Sequence, residues 1–308
     1  MNPFIVKRFT MKPLLSLVIG CQERSGLAAC LESLGQQRGL QEHALEIIVA
    51  DGTAEGVADL VAAYYPAARI VRPAPGVGLP HLLGAGIMQT RGAWVALSEA
   101  HCSFPPAWAI CGLALAHTGD VQVLGGAVEA SPELGRWALA LFLCDYAAFL
   151  PPFAAGPTKE LAGNNVIFAH DLLTTGEDYS QHGFWKTFFC QRLAHPGVPL
   201  QRVARIMVSY GRKLSLRNAL TRRFQHGRCF GAMRRPQLSR LQQRIYPLAA
   251  VGLPLLLTWR VAARVWQRPA YRPTLLPALP AIAVLMVAWV VGELFGHLWG
   301  SGASCVQL

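Results

Sequence analysis

The chain has 308 residues, of which 53% are hydrophobic and only 15% charged. That length holds one α/β domain of about 200–250 residues plus a further part, and the apolar content excludes an intrinsically disordered chain. A net charge of +11 with a mean hydropathy of +0.32 argues against an ordinary soluble enzyme and for an anionic surface as neighbour.

Residues 1–12 read as a leader. A short apolar run at 14–19 predicts a buried strand, and a helical pattern follows at 27–36. A second strand at 45–50 ends in Asp51-Gly52-Thr53, with a helical stretch running on through 65. A third strand at 69–71, a helix at 79–89 and a fourth strand at 93–97 continue the alternation. Short strands alternating with helices of this kind imply βαβ units, hence a Rossmann-like α/β fold with a mostly parallel sheet. The first strand–helix turn reads Gly20-Cys21-Gln22-Glu23-Arg24-Ser25-Gly26. It holds neither G-x-G-x-x-G nor a P-loop, which argues against dinucleotide and NTPase chemistry.

The fourth strand stops at Ser98-Glu99-Ala100-His101-Cys102. Open α/β sheets bind ligands beyond the carboxyl ends of their strands. An acid and an imidazole two residues apart are both competent ligands for a divalent cation. A plain solvated turn is the other reading of those residues. Asp51, before Gly52, is likewise either a turn residue or a ligand contact.

Taken in order, SLVIGCQERSGLAACLESL, LEIIVADGT and RGAWVALSEAHC resemble the nucleotide-sugar half of family 2 glycosyltransferases of the GT-A fold, over roughly 13–235. The resemblance implies that Glu23 lies by the nucleotide, that Asp51 contacts the base or ribose, and that Glu99 and His101 occupy the Asp-x-Asp metal positions. A membrane-anchored subgroup with Thr-Glu-Asp-His-Cys at this place is similar at all but two positions. The implied donor is a nucleotide-diphospho-sugar, and the implied cofactor is Mg2+ or Mn2+, a Lewis acid for the departing diphosphate. An imidazole softens such a site toward Mn2+.

Residues 161–168 resemble the family's Gly-x-Asn strand, which implies a binding role for Asn164 on the acceptor side. Residues 183–193 resemble the helix that carries the catalytic carboxylate ahead of an Arg-Leu pair. Aligned on Arg192-Leu193, the acidic positions fall on Trp185 and Lys186. An inverting transfer needs a base for the acceptor hydroxyl, and an ordinary ammonium cannot be one. Glu177 and Asp178 are the nearby acids. Three readings stay open: those acids supply the base; the acceptor arrives ionised, as a lipid phosphate held by Lys186; or the protein is a catalytically degenerate scaffold at the membrane.

Between 202 and 244 lie twelve Lys or Arg residues and no acid. Aromatic interleaving is thin there, which argues against nucleic acid; anionic membrane lipids explain the charge beside a membrane helix. Residues 222–228 resemble the family's post-catalytic Gln/Arg-rich motif, implying diphosphate contact or gating by Arg223 and Arg228, with lipid contact as the alternative. The apolar stretch at 273–299 is long enough to span a bilayer, whereas 245–259 is marginal. Arg260, Arg264, Arg268 and Arg272 separate the two, and the positive-inside tendency favours an interfacial or re-entrant first segment, with a two-span hairpin close behind. Glu293 within the second segment should be paired or functional. The eight cysteines show no paired spacing and read as buried thiols of a reducing compartment.

The expected organisation is a leader (1–12), a GT-A domain (13–205), a basic juxtamembrane segment (206–244), membrane segments (245–300) and a tail (301–308). The expected protein is a glycosyltransferase of the cell inner membrane, its catalytic domain cytoplasmic, acting on a lipid or glycan acceptor.

Overall fold

The computed structural model describes residues 13–306, apart from 75, 119, 120, 180, 181 and 194–196. The expected leader, 1–12, and the last two residues of the tail lie outside the described residues. The first half alternates as its hydrophobic pattern dictates: β1 (Leu15–Cys21), α1 (Leu27–Gly35), β2 (Leu45–Asp51), α2 (Ala58–Tyr64), β3 (Arg69–Val71), α3 (Leu79–Ile87) and β4 (Trp94–Glu99). Next come β5 (Cys102–Ser103), α4 (Trp108–Ala116), β6 (Val123–Ala130), α5 (Arg136–Tyr146), β7 (Gly156–Thr158), β8 (Val166–Ala169), α6 (His170–Thr174), α7 (Lys186–Leu193) and β9 (Leu200–Tyr210). Four helices close the chain: α8 (Leu216–Arg234), α9 (Arg240–Ala249), α10 (Leu253–Trp266) and α11 (Arg272–Trp299).

All seven residues of β1 are buried, because it lies mid-sheet with a hydrophobic core on each face. The strand order is β3-β2-β1-β4-β8-β6-β9-β5, with β7 also pairing with β9. The first four strands are parallel; β8 enters between β4 and β6 in the opposite sense, and β9 returns parallel to β6. Register fixes what matters for function. Cys21 of β1 faces Asp51 on one side, and Gly20 faces Glu99 on the other. Both acids therefore end their strands at the same sheet edge, with β1 between them and roughly 10 Å across two strand spacings.

Positions 205 and 244 both fall within elements. β9 is one strand of 11 residues whose ladder with β6 runs through a bulge to Tyr210, so the first residues of the basic 202–244 stretch, Arg202 and Arg205, are sheet residues. The second boundary falls inside α9, which begins with a reciprocal Ser239–Gln242 capping box.

Among the described residues one helix, spanning Pro269–Trp299, is long and apolar enough to cross a membrane, and a second candidate is a helix pair bent by 47° over Arg240–Leu248 and Ala250–Trp266. The long helix does not stand apart from the enzyme domain. Ile282, Leu285 and Met286 of α11 join the core that includes Leu141 and Phe142 of α5. Against α8 it makes a backbone-to-backbone crossing: a Cβ on Gly227 or Gly231 would strike the carbonyls of Trp289 or Glu293, and one on Gly292 or Gly296 those of Phe224 or Arg228. Small residues four apart permit such an approach. The opposite side leaves Leu276, Val284, Val287, Val291 and Trp299 exposed. Glu293 is paired, accepting from Trp289 Nε1 at 3.0 Å and from Arg234 at 3.4 Å.

The cysteine expectation also needs correcting. Cys229 and Cys305 form a disulfide that ties the tail to α8. Their 76-residue separation carries no pairing signal in sequence.

Candidate active site

Each side chain at the β1–β2–β4 edge is held by a local device. Asp51 Oδ1 accepts from Thr53 N at 2.9 Å and Thr53 Oγ1 at 2.7 Å, so the Asp-Gly-Thr turn closes on its own carboxylate. The second oxygen lies 3.8 Å from Arg72 Nε, whose guanidinium donates to Thr53 O and Ala54 O at 2.9 and 2.8 Å. The turn reading and the ligand reading of Asp51 are thus compatible: one oxygen builds the turn, the other faces a cation.

Glu99 and His101 come together, with Glu99 Oε2 at 3.2 Å from His101 Nε2. That nitrogen is buried and makes no hydrogen bond. The imidazole stands edge-on to Tyr210, ring centres 4.6 Å apart, and the Tyr146 hydroxyl donates to Glu99 Oε1 at 3.4 Å. Burial pushes the Glu99 carboxyl up, but His101, Arg212 and Arg222 outweigh it and hold the pKa at about 2. Burial lowers His101, helped by the same two arginines against the pull of Glu99. The pair is therefore a carboxylate beside a neutral imidazole.

Across this pair, Glu23 accepts from Arg212 and lies 3.6 Å from Arg222, which also donates to Gln22 Oε1 at 3.1 Å. Burial raises the Glu23 carboxyl, and the two arginines more than reverse it. Gly20, Glu23, Glu99, His101 and Arg212 line a cavity of about 10 Å³, room for about one water. Two guanidiniums thus close over two carboxylates and an imidazole at one strand edge.

Glu23, Asp51, Glu99 and His101 share that edge. Asn164 sits behind it, buried, with Nδ2 3.4 Å from Cys102 Sγ, its backbone oxygen accepting from Ser98 Oγ at 2.8 Å, and Oδ1 unpartnered. Lys186 begins α7 and donates to Leu161 O; burial lowers its pKa against the opposing pull of Cys190 and Glu160. Glu177 instead accepts from Arg192 at 2.9 Å, at the other end of α7 and roughly 9 Å along its axis from Lys186. Asp178 follows Glu177 in that loop. Arg223 pairs with Asp145 and lies over the Trp289 ring at 4.4 Å, while Arg228 Nε donates to Gly300 O at 3.0 Å. Arg223 thus faces α5 and α11, and Arg228 the tail. The site arginines are Arg212 and Arg222, which sequence reasoning left within a general basic stretch, together with Tyr146 and Tyr210. Arg212 had one available signal, its place just after the last strand.

The family model described as "Glycosyl transferase family 2" matches residues 17–172. Among solved structures, the mannosyltransferase PcManGT from Pyrobaculum calidifontis, in complex with GDP-Man and Mn2+, is similar with a TM-score of 0.57 and 16% identity, over 94% of this chain and 88% of that one. S. aureus TarS 1-349 in complex with UDP-GlcNAc is similar with a TM-score of 0.53 and 13% identity, over 92% and 91%. At these identities the likeness concerns the fold. No curated protein matches the sequence.

Proposed function

The chain belongs to glycosyl transferase family 2 and is a glycosyltransferase of α/β GT-A fold, and on that premise we propose that it moves a sugar from a nucleotide-diphosphate donor to an acceptor at a membrane face. The observation that carries this reading is the Glu99–His101 pair at 3.2 Å, set at the end of β4 and flanked by Arg212 and Arg222.

A divalent cation fits that pair. His101 Nε2 is neutral, buried and without a hydrogen bond, beside a carboxylate ionised well below neutral pH. Among the described residues no group of three or more His, Cys, Asp or Glu could hold an ion, so the remaining positions would fall to donor phosphates and water, as Mg2+ sites usually arrange. Bound there, the ion would offset the charge that develops on the departing diphosphate. Arg212 and Arg222 hold the diphosphate itself, exchanging their contacts with Glu23 for phosphate oxygens. Asp51 and Arg72 face the nucleoside, and Tyr146 and Tyr210 keep the carboxylate and imidazole oriented.

For the acceptor, the arrangement favours an anion over a hydroxyl needing a base. Glu177 is engaged at the far end of α7 by Arg192, whereas the Lys186 ammonium lies beside the 161–164 segment. An acceptor oxygen already ionised requires no proton transfer. Membrane attachment is supported by Leu248, Val251, Leu255 and Trp259, all exposed along α9, the turn after it and α10, and by the outward face of α11. On this reading residues 13–212 together with Arg222 of α8 form the catalytic unit, and the rest of α8–α11 is its membrane-facing clamp. The test is incubation of the purified chain in detergent with Mn2+ and a panel of nucleotide-sugars, with and without polyprenyl phosphate, reading nucleoside diphosphate release. Release stimulated by the lipid is expected; none with any donor would remove the proposal.

A further inference from the structure

A second cavity, of about 200 Å³, lies where the sheet meets the C-terminal helices. Its walls include Arg202 of β9, Arg264 of α10, Arg268 just beyond α10, and the apolar Phe149 and Phe153. Glu160 also lines it, and it pairs with Arg264 at 3.0 Å. Among the described residues Arg202 and Arg268 have no such carboxylate: Arg202 stacks on the Phe153 ring at 5.3 Å with its Nε buried and unpartnered, and Arg268 Nε donates to Leu150 O at 2.8 Å. Burial, and then the neighbouring Arg202 charge, lower the pKa of Arg268.

This cavity is not the donor site. Gly125 on its wall aligns through Val166 with Leu97 of β4, and Arg202 pairs with Gly125. Arg202 therefore sits three strand spacings from β4, roughly 15 Å away. Guanidiniums present paired donors that match phosphate oxygens. An unpartnered buried N–H and an uncompensated pair of cations are what a bound oxyanion would satisfy. The mouth opens beside α10, whose Leu255, Trp259 and Trp266 are exposed.

We propose that the cavity bounded by Arg202, Arg264 and Arg268 binds a phosphate monoester, at a site separate from the donor site. The binding does not depend on the transferase reading above, in which the reacting acceptor anion lies by Lys186. The full chain in detergent is titrated with inorganic phosphate in one arm. In the other it is mixed with phosphatidylcholine vesicles carrying a minor fraction of phosphatidic acid. Arg202→Gln and Arg202→Gln/Arg268→Gln are compared with Arg240→Gln/Arg244→Gln, which removes two exposed charges outside the cavity. Loss of one charge-assisted contact should weaken binding about ten-fold or more, and the surface control should change it less than about three-fold. Arg202→Gln alone breaks no hydrogen bond made by Nε, so it stays interpretable if the double variant is unstable. Arginine-dependent binding in the first arm only marks a free phosphate, and in the vesicle arm a lipid headgroup; both support the site. Equal binding by parent and cavity variants in both arms, or equal losses in the surface control, would overturn it. Donor binding by the same variants, measured alongside, should be unchanged, so failure of the transferase reading would register separately.

Discussion

Replacing Gly292 and Gly296 together by Ala tests whether α11 is part of the enzyme domain or a separate span. In a free helix each change would help, because Ala exceeds Gly in helix propensity by about 1 kcal/mol. At the crossing with α8 the added methyls meet backbone. The Gly292 Cβ would lie 2.9 Å from Phe224 C and 3.0 Å from Arg228 N, and the Gly296 Cβ 2.8 Å from Arg228 C and 2.9 Å from Ala232 N. Such atoms cannot rotate away, so each methyl should cost toward the upper part of the roughly 1–3 kcal/mol typical of overpacking. Two sites at about 2–3 kcal/mol, less about 2 kcal/mol of propensity gain, leave a net loss of about 2–4 kcal/mol. In a chain of this size that lowers Tm by about 4–8 °C. Thermal melting in mild detergent reads it out, and because α8 carries Arg222 into the donor site, donor affinity should fall too. An unchanged or higher Tm would refute the packed crossing and restore α11 as an independent span.

Two adjacent arginines should part company. Arg222→Gln should weaken donor binding by about 10- to 100-fold through loss of a charge-assisted contact with little change in Tm, whereas Arg223→Gln, which leaves Asp145 without its partner, should destabilise the fold by about 3–5 kcal/mol; calorimetric titration and melting separate the two. Lys186→Gln should cut turnover with a polyprenyl phosphate acceptor about ten-fold or more while donor affinity holds, and Glu177→Gln or Asp178→Asn should change turnover less than about three-fold. A collapse in the amide variants alone would hand the base role back to the acids.

The first half of the fold was legible because βαβ alternation and strand ends are local patterns. The 45–50 run, stopping at Asp51, needed no tertiary information to read as a strand. Register then made the site nearly automatic, since the neighbours of β1 end in Asp51 and Glu99. Beyond β5 the legible signal weakened. β9 holds Arg202 and Arg205, which composition counted with the basic 202–244 stretch, and its alternation, which buries Ile206, Val208 and Tyr210, went unread. The motif at 222–228 singled out Arg223 and Arg228, whereas on the same helix it is Arg222 that lies by Glu23. Successive side chains on a helix differ by about 100°, so facing the site or facing α11 depends on helical phase. The glycines at 227, 231, 292 and 296 carried a small-xxx-small spacing that was visible in sequence and went unused.

The central claim is that Glu99 and His101 bind a cation that holds the donor diphosphate. Nucleotide-sugar binding measured calorimetrically, with and without Mn2+, for the parent, Glu99→Ala and His101→Ala, tests it most directly. The parent should bind at least about ten-fold more tightly with Mn2+, and both variants should lose that Mn2+ dependence while keeping the parent's Tm within a few degrees. Donor affinity that is equal in all three proteins and indifferent to Mn2+ would contradict the claim and leave Glu99-Ala100-His101 as a turn.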